Sequence, residues 1–195
     1  YTERFDDGDY LAFFRSPFNS KNNLTYLHNV YHENMKKYFN FGKYIIAVNM
    51  IGTDFQDRNN GSDQDSDSGY TTNQADIVEH ARKCYMKYPT IVNNIPKDSN
   101  KYDNTMDDYS KIDNNLAGSQ RDIGESSNIA QIAQTYACNF EDQKYIDYVC
   151  ILSVLAQAAI DSAKRRFDID IADEIRRIKN DMDISEHRYP SFWRL

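Results

Sequence analysis

The sequence predicts an α+β fold in which a strand-rich part, residues 1–72, is followed by a helical part, residues 73–195. Two observations support this prediction. Short runs rich in aromatic and β-branched residues stand before residue 72, and apolar residues recur at helical spacing after it. A stretch crowded with Asp, Asn, Gly and Ser, residue types that favour turns, lies where one pattern gives way to the other.

The N-terminal part is predicted to hold three strands and one helix. The predicted strands are YLAFFRS at residues 10–16, KYIIAVNM at 43–50 and GYTT at 69–72. Apolar side chains at helical spacing predict a helix over residues 22–38. The residues that set this spacing are Leu24, Leu27, Tyr31, Met35 and Tyr38. Residues 51–68 are predicted to form a loop.

The C-terminal part is predicted to be helical throughout. Five helices are expected, over residues 75–88, 106–118, 126–137, 141–166 and 170–182. The first is expected to begin at Asn73, which can cap a helix, and to stop before Pro89. The second is expected to end at Gly118, because glycine commonly follows the last helical residue.

Composition narrows the class of protein. The 195 residues are 40% hydrophobic and include 15 Tyr and 10 Phe, which indicates a packed protein and not a disordered one. The net charge of −7 makes the chain by itself a poor candidate for wrapping nucleic acid. No apolar run is as long as a membrane span and no signal peptide is visible, so we expect no membrane partner.

Cysteine usage and the first residue add two expectations. Cys84, Cys138 and Cys150 are odd in number and widely spaced, which favours buried thiols in a reducing compartment over a disulfide framework. We therefore expect a cytoplasmic protein. Because the chain begins at Tyr1 and not at Met, we expect it to be a fragment of a longer protein.

The stretch NNGSDQDSDSGY, residues 59–70, places Asp63, Asp65 and Asp67 at alternate positions. Two unit charges 4 Å apart repel by about 1 kcal/mol in water and by about 4 kcal/mol at an effective dielectric constant of 20. A partly buried trio therefore favours a cation among the carboxylates, and oxygen ligands select Mg²⁺, Mn²⁺ or Ca²⁺. Taken alone, the pattern is more typical of a mobile acidic loop than of a metal site.

A calcium loop of the EF-hand type fits poorly, because counting from Asp63 puts Ser68 where that loop needs Gly and Gln74 where it needs Glu. His28 and His32, one helical turn apart, could form half of a zinc site, but no third ligand is evident and a pair of ordinary surface histidines explains them better. The sequence has no phosphate-binding glycine loop, no nucleophile elbow and no paired Cys-x-x-Cys motif.

Two basic clusters lie on predicted helices, AKRR at residues 163–166 and RRIK at 176–179. Each can be a solvated face whose cations pair with acids one turn away. The functional alternative is contact with phosphates.

Several of these motifs, in this order, resemble the two-barrel RNA polymerases, and most of all the silencing-type RNA-dependent and phage-type single-chain enzymes. NGSDQDSDSG is similar to the metal loop of that family, and FFRSPFNSKN at residues 13–22 is similar to its strand ending in Arg-x-Pro. Downstream, IGESSNIAQIAQTYACNFED and LSVLAQAAIDSAKR are similar to two helices of the silencing-type enzymes. The matching residues are Ile123, Gly124, Ala159, Asp161 and Lys164.

The resemblance, which spans residues 10–166, implies the carboxy-side catalytic half of an RNA polymerase, with part of a double-psi β-barrel before residue 72. It implies that Asp63, Asp65 and Asp67 hold Mg²⁺, with Mn²⁺ as an alternative, and catalyse nucleotidyl transfer from NTPs to a 3′-hydroxyl. Arg15 would orient the loop or contact ribose or phosphate, and Lys164 and Arg165 would contact the nucleic acid. The implied partners are NTPs, a DNA or RNA template and the remainder of the polymerase chain.

The sequence also departs from the family's pattern. Ser66 stands where the family has Gly in the metal loop, and no His follows the Arg-x-Pro segment closely. Two alternatives therefore stay open. One is a non-catalytic structural or interaction module derived from such a polymerase, and the other is an unrelated binding domain with an acidic loop.

Overall fold

The computed structural model describes residues 1–63, 67–99, 101–162 and 166–184. The chain divides into two compact units, Tyr1–Thr90 and Ile91–Leu195. Of the described residues 53% are helical, and a three-stranded antiparallel sheet lies near the N-terminus with helices after it, so the predicted α+β class is confirmed. The predicted division lies at residue 72, whereas the first compact unit runs to Thr90.

The sheet of the first unit has three short strands, β1 (Tyr10–Arg15), β2 (Thr25–His28) and β3 (Gly69–Thr72). β1 lies in the centre, and both neighbours pair with it in antiparallel orientation. At the C-terminal end of β1, Phe13 lies opposite Thr25 of β2 and Arg15 lies opposite Gly69 of β3. The strands predicted at residues 10–16 and 69–72 are thus confirmed.

The helices of the first unit are α1 (Glu33–Tyr38), α2 (Phe55–Arg58) and α3 (Ala75–Lys87). Two 3-10 turns, Lys21–Asn23 and Gly42–Tyr44, complete the unit. α3 stops before Pro89 as predicted, but Gln74 and not Asn73 precedes its first turn. The Asn73 side chain instead donates a hydrogen bond to Asp9, 3.2 Å away.

Alternation along β1 decides what each face of the sheet contacts. Ala12 packs with Leu24 of the β2 segment and with Ala81 and Cys84 of α3, so α3 covers one face. Phe13 points the other way, and its ring lies 5.3 Å from the ring of Phe55 in α2, centroid to centroid. Because every second side chain of a strand shares a face, Arg15 lies on the same face as Phe13.

Three predictions in this unit are wrong. Residues 51–68, predicted as a loop, contain the helix α2. Residues 22–38, predicted as one helix, hold most of a 3-10 turn, β2 and α1. Backbone pairing of β2 with β1 outweighs the helical spacing of the apolar residues, as tertiary context commonly does. Residues 43–50, predicted as a strand, are all described and contain no strand; Ala47 exchanges backbone hydrogen bonds with Tyr1 alone.

The second unit is built from α4 (Met106–Phe140), α5 (Gln143–Asp161) and α6 (Ile171–Asp181). α4 and α5 are joined by a tight connection, in which Glu141 is left-handed and Asp142 caps α5 by accepting the Lys144 N–H. A cluster of buried apolar residues from the three helices forms the core. It consists of Ile129, Ala130, Ile132, Ala133, Tyr136, Tyr148, Val149, Leu152, Leu155, Ile175, Ile178 and Met182.

The helices predicted over residues 106–118 and 126–137 form one continuous helix, so the prediction that a helix ends at Gly118 is wrong. Helix formation is cooperative, and most helical stability in proteins comes from packing of an apolar face. Here the buried residues of α4 lie in its second half, from Ser126 to Ala137, and the first half continues the same helix away from that core. The predicted helices at residues 141–166 and 170–182 correspond to α5 and α6.

In the part of the chain that the structure describes, no helix combines the length and the apolar character that crossing a bilayer requires. All three cysteines are free, with Cys84 buried, Cys150 half-buried and Cys138 exposed, so the expectation of buried thiols fails at Cys138. Burial raises the pKa of the Cys84 and Cys150 thiols above the ordinary value. At neutral pH a smaller fraction of each thiol is therefore ionised than in a cysteine with the ordinary pKa, so both thiols are poorer nucleophiles.

Candidate functional site

The acidic loop, defined here as residues 61–68, connects α2 to β3. Its N-terminal end is set by a change of backbone direction: Asn60 and Gly61 both have left-handed geometry, with φ values of 57° and 66°. Asp63 and Asp67 are described, whereas Asp65 and Ser66, at the centre of the predicted metal loop, lie outside the described residues.

Arg15 joins the two ends of the loop. Its Nη2 donates to Asp67 Oδ1 over 2.6 Å, and its Nη1 lies 3.4 Å from the backbone carbonyl oxygens of Asn59 and Asn60. The side chains of Arg15 and Asp67 are only 16% and 22% exposed, so this ion pair is screened less than one on the open surface. β1 places the guanidinium here because its last residue faces α2 and the loop.

Asp67 also closes the loop on itself. Its second carboxylate oxygen, Oδ2, accepts a hydrogen bond of 2.9 Å from the backbone N–H of Asp63. The structure thus brings together three of the six predicted site residues, namely Arg15, Asp63 and Asp67. The other three, Asp65, Lys164 and Arg165, lie outside the described residues.

The donor chemistry of these groups fits a hard divalent cation. An ionised carboxylate has about four lone-pair positions, and Asp67 uses one on each oxygen for Arg15 and the Asp63 N–H. Lone pairs therefore remain for a metal, and Asp63 lies on the exposed side of the loop. Within the described ranges no cluster of three or more metal-ligating side chains occurs, and these ranges leave out Asp65.

The C-terminal end of the loop is set by a close approach between Gly69 and Phe13. A Cβ atom on Gly69 would collide with the Phe13 ring, which is buried. Glycine is required at this point because any side chain would displace the Phe13 ring. β3 therefore begins directly under Phe13, two residues after Asp67.

The N-terminal end of the acidic loop is held by the buried Arg58, whose guanidinium contacts several segments of the first unit. Arg58 is 3% exposed. Its Nη1 donates to the Asn22 carbonyl over 3.0 Å and its Nη2 to the Tyr88 carbonyl over 3.2 Å, while its Nε lies 3.4 Å from Asp54. The Tyr85 ring lies 4.5 Å from the guanidinium carbon. One side chain thus ties α2 to the Lys21–Asn23 turn and to the end of α3.

Asn59 continues this network into the sheet. Its Nδ2 donates to Thr25 Oγ1 over 3.0 Å and to the Phe55 carbonyl over 2.8 Å. The Asn23 side chain donates to the Arg58 carbonyl over 2.9 Å. Buried polar groups that are hydrogen-bonded in this way specify one backbone arrangement, because any other arrangement leaves them without partners.

Asp54 is the acidic partner of this network. Desolvation raises the pKa of its carboxyl, but a hydrogen bond from the Thr90 hydroxyl and the charge of Arg58 outweigh that effect, so the pKa lies below its ordinary value. The Asp54 carboxylate is therefore ionised at neutral pH and neutralises Arg58.

Arg58, Asn59 and Asn60 were not predicted as functional residues. The only signal in the sequence is their position immediately before the acidic loop. Polar residues in a segment rich in Asn and Asp read as solvated loop, so their burial could not be inferred from the residue types.

The structure corrects the zinc alternative. His28 lies in β2, where it stacks on Tyr10 with ring centroids 4.7 Å apart, and His32 precedes α1. The two histidines are therefore not one turn apart on a helix.

In the basic cluster at residues 176–179 the two arginines lie on a solvated face, whereas Lys179 pairs with Glu125 of α4 over 2.8 Å. Arg176 and Arg177 pair with acids of the same helix, Asp173 and Glu174. In the other cluster, Arg166 pairs with Asp98 over 2.9 Å, and residues 163–165 lie outside the described residues.

The second unit also has a cavity of about 410 Å³. Its charged lining includes Arg121, which is 3.4 Å from Asp122, and Arg166, which pairs with Asp98. Asp170, also in the lining, caps α6. Among the described lining residues, two arginines and two aspartates thus balance in formal charge.

Comparison of the chain with protein-family models, with curated proteins and with solved structures found no match. The interpretation of the acidic loop therefore depends on its residues and its geometry.

Proposed function

We propose that this chain is the catalytic-half fragment of an RNA polymerase that transfers nucleotides from NTPs to a 3′-hydroxyl on a nucleic-acid template. The observation that carries the proposal is the contact between Arg15 and Asp67. The Arg-Ser-Pro segment and the acidic loop are the two N-terminal motifs that resemble the two-barrel polymerases. They are 52 residues apart at these positions, and in the structure they are joined by an ion pair of 2.6 Å.

In this proposal Asp63, Asp65 and Asp67 hold Mg²⁺ or Mn²⁺. When bound, the metal would lower the pKa of the attacking hydroxyl and neutralise charge on the triphosphate. Arg15 orients Asp67 and holds the two ends of the loop together. Lys164 and Arg165 would contact the nucleic-acid backbone.

The proposal also assigns β1, β2 and β3 to part of a double-psi β-barrel. The remaining strands and the basic surface for nucleic acid would come from the rest of the polymerase chain. The antiparallel sheet with β1 at its centre supports an α+β protein, and the barrel is an inference beyond it. A cytoplasmic location remains a prediction from cysteine usage.

The test is primer extension and unprimed synthesis by the longest polypeptide that contains this chain, with Mg²⁺ or Mn²⁺. We expect Asp63→Ala, Asp65→Ala and Asp67→Ala each to lower the rate by at least about 100-fold, since even residues behind metal ligands cost 10–100-fold. Asp76→Ala, in the first turn of α3, is the matched control and should keep its rate. Full activity in all three loop variants would exclude the metal role.

One observation favours a second candidate, a non-catalytic module derived from such a polymerase. The Arg15 guanidinium compensates the charge of the Asp67 carboxylate through a direct ion pair. A module of this kind predicts that Mg²⁺ leaves the melting temperature unchanged. It also predicts that the double variant Arg15→Gln/Asp67→Asn, which removes both charges, is more stable than either single variant and keeps every function of the protein. A polymerase predicts that the double variant stays inactive.

A further inference from the structure

Asn60 is the residue at which the chain turns from α2 into the acidic loop. It is 6% exposed and adopts left-handed backbone geometry, with φ at 57°. Among residues with a Cβ atom, Asn adopts this geometry most readily. Its backbone N–H donates to the Asp57 carbonyl over 3.1 Å, so the turn is closed on the α2 side.

The other polar groups of Asn60 face the Arg-Ser-Pro segment. Its Nδ2 donates to the Pro17 carbonyl over 2.8 Å, and its own carbonyl lies 3.4 Å from Arg15 Nη1. Two contacts from one buried residue therefore reach both ends of a three-residue segment. This turn therefore sets the position of the backbone at Asp63, three residues later.

We propose that Asn60 is a positioning residue for the acidic loop, which it aligns with Arg15 by bonding the Pro17 carbonyl. The part of this inference that concerns metal binding rests on the proposed function. The alignment itself is a structural statement that can be tested without activity. Asn60 touches neither a metal nor a nucleotide in this proposal, and it acts through the backbone that carries Asp63.

Two variants separate the parts of this proposal. Asn60→Gly keeps the left-handed backbone and removes the side-chain donor. Asn60→Asp keeps the shape of the side chain and replaces the donor with an acceptor, so it should behave like Asn60→Gly. The matched control is Asn29→Gly, because Asn29 is equally buried at 4% exposed and its Nδ2 donates to carbonyls of the N-terminal segment, away from the loop.

The first readout is the solvent-exchange rate of the Asp63 amide, measured by NMR, because this N–H donates to Asp67 when the loop is aligned. We expect both Asn60 variants to raise the rate by roughly tenfold, the factor that one net hydrogen bond carries. Asn29→Gly should leave it unchanged even if it lowers the melting temperature. An unchanged rate in both Asn60 variants overturns the proposal, as does a wild-type rate in Asn60→Asp alone.

The second readout is the Mg²⁺ concentration for half-maximal nucleotide incorporation by the longest polypeptide. We expect the Asn60 variants to raise it by roughly tenfold with little change in the KM for NTP, whereas a merely structural role would lower the active fraction and leave both constants unchanged. A wild-type protein that incorporates no nucleotide overturns the proposed function. The amide-exchange result then decides the role of Asn60 independently.

Discussion

Each of the two units of this protein is stabilised internally by a different kind of interaction. Among the described residues, eleven buried polar side chains lie in the first unit and three in the second. The main apolar cluster of the second unit has twelve buried residues, whereas that of the first has four, Ala12, Leu24, Ala81 and Cys84. Apolar packing tolerates many sequences, but a buried hydrogen-bond network accepts only one arrangement. The unit that carries the acidic loop is thus the one whose backbone is set by specific polar contacts.

The largest effect is expected from removing apolar volume in the second unit. Leu152 is fully buried in the core between the three helices. Leu152→Ala should lower the free energy of unfolding by about 2–5 kcal/mol, because the cavity it leaves is only partly refilled. Its neighbour Ile151 is 38% exposed and provides the control: Ile151→Ala should cost about 1 kcal/mol or less in the same chemical denaturation. Equal costs would show that this core is loosely packed.

In the first unit the corresponding loss of stability is expected from removing a charged side chain, that of Arg58. Arg58→Leu should lower the free energy of unfolding by about 2–3 kcal/mol, because the carbonyls of Asn22 and Tyr88 lose their donors. Arg82 lies on the exposed side of α3 and pairs with Glu79, and Arg82→Leu should barely change the melting temperature. If both arginine variants melt like the wild type, the polar network is not what holds this unit.

The ion pair between Arg58 and Asp54 also predicts how the free energy of unfolding depends on pH. The pKa of Asp54 is held below its ordinary value of 3.8, so its ionised form stabilises the folded state above pH 3.8. This contribution is lost as the pH falls below 3.8 and through the lowered pKa. Arg58→Leu removes the charge that helps to lower this pKa and leaves the larger effect, the hydrogen bond from the Thr90 hydroxyl, in place. As the pH falls below 3.8, the free energy of unfolding of Arg58→Leu should therefore decrease less than that of the wild type. Parallel acid titrations followed by circular dichroism compare the two proteins.

A smaller effect is expected at the C-terminal end of the acidic loop. Gly69→Ala should lower the free energy of unfolding by about 1–3 kcal/mol, because the new Cβ displaces the Phe13 ring. Phe13→Leu makes room, so the double variant should lose less than the sum of the two single variants. Additive costs in this double-mutant cycle would mean that the ring does not hold the start of β3.

The smallest effect has the opposite sign. Gly118 lies inside α4, and among the described residues a Cβ atom there would meet no atom within 4 Å apart from its chain neighbours and the nearby backbone of its own helix. Gly118→Ala should raise the free energy of unfolding by about 0.5–1 kcal/mol, because alanine loses less backbone entropy in a helix. Thermal unfolding would detect this gain. A loss of stability would indicate that α4 is interrupted at Gly118, as the sequence predicted.

The sequence was most informative in the second unit, where the backbone hydrogen bonds of each helix join residues four positions apart. Helical spacing in the second unit located α5 and α6, and it missed only that residues 106–140 form one helix. In the first unit it located β1 and β3, but it assigned β2 to a helix, because pairing with β1 overrides local spacing. The same limitation applied to the site: Arg15, Asp63 and Asp67 were recognised as residues, whereas Arg58, Asn59 and Asn60 were not.

The sequence by itself determined the α+β class, the helices α5 and α6 and the acidic loop as a candidate site, because spacing and residue type are properties of neighbours along the chain. Only the tertiary structure decided that Arg15 meets Asp67, that Phe13 covers Gly69 and that Asn60 bonds Pro17. These contacts join residues 43 to 56 positions apart, and no local pattern encodes them. They form because the sheet brings β1 and β3 side by side and buries the polar groups between them and α2, where each needs a partner.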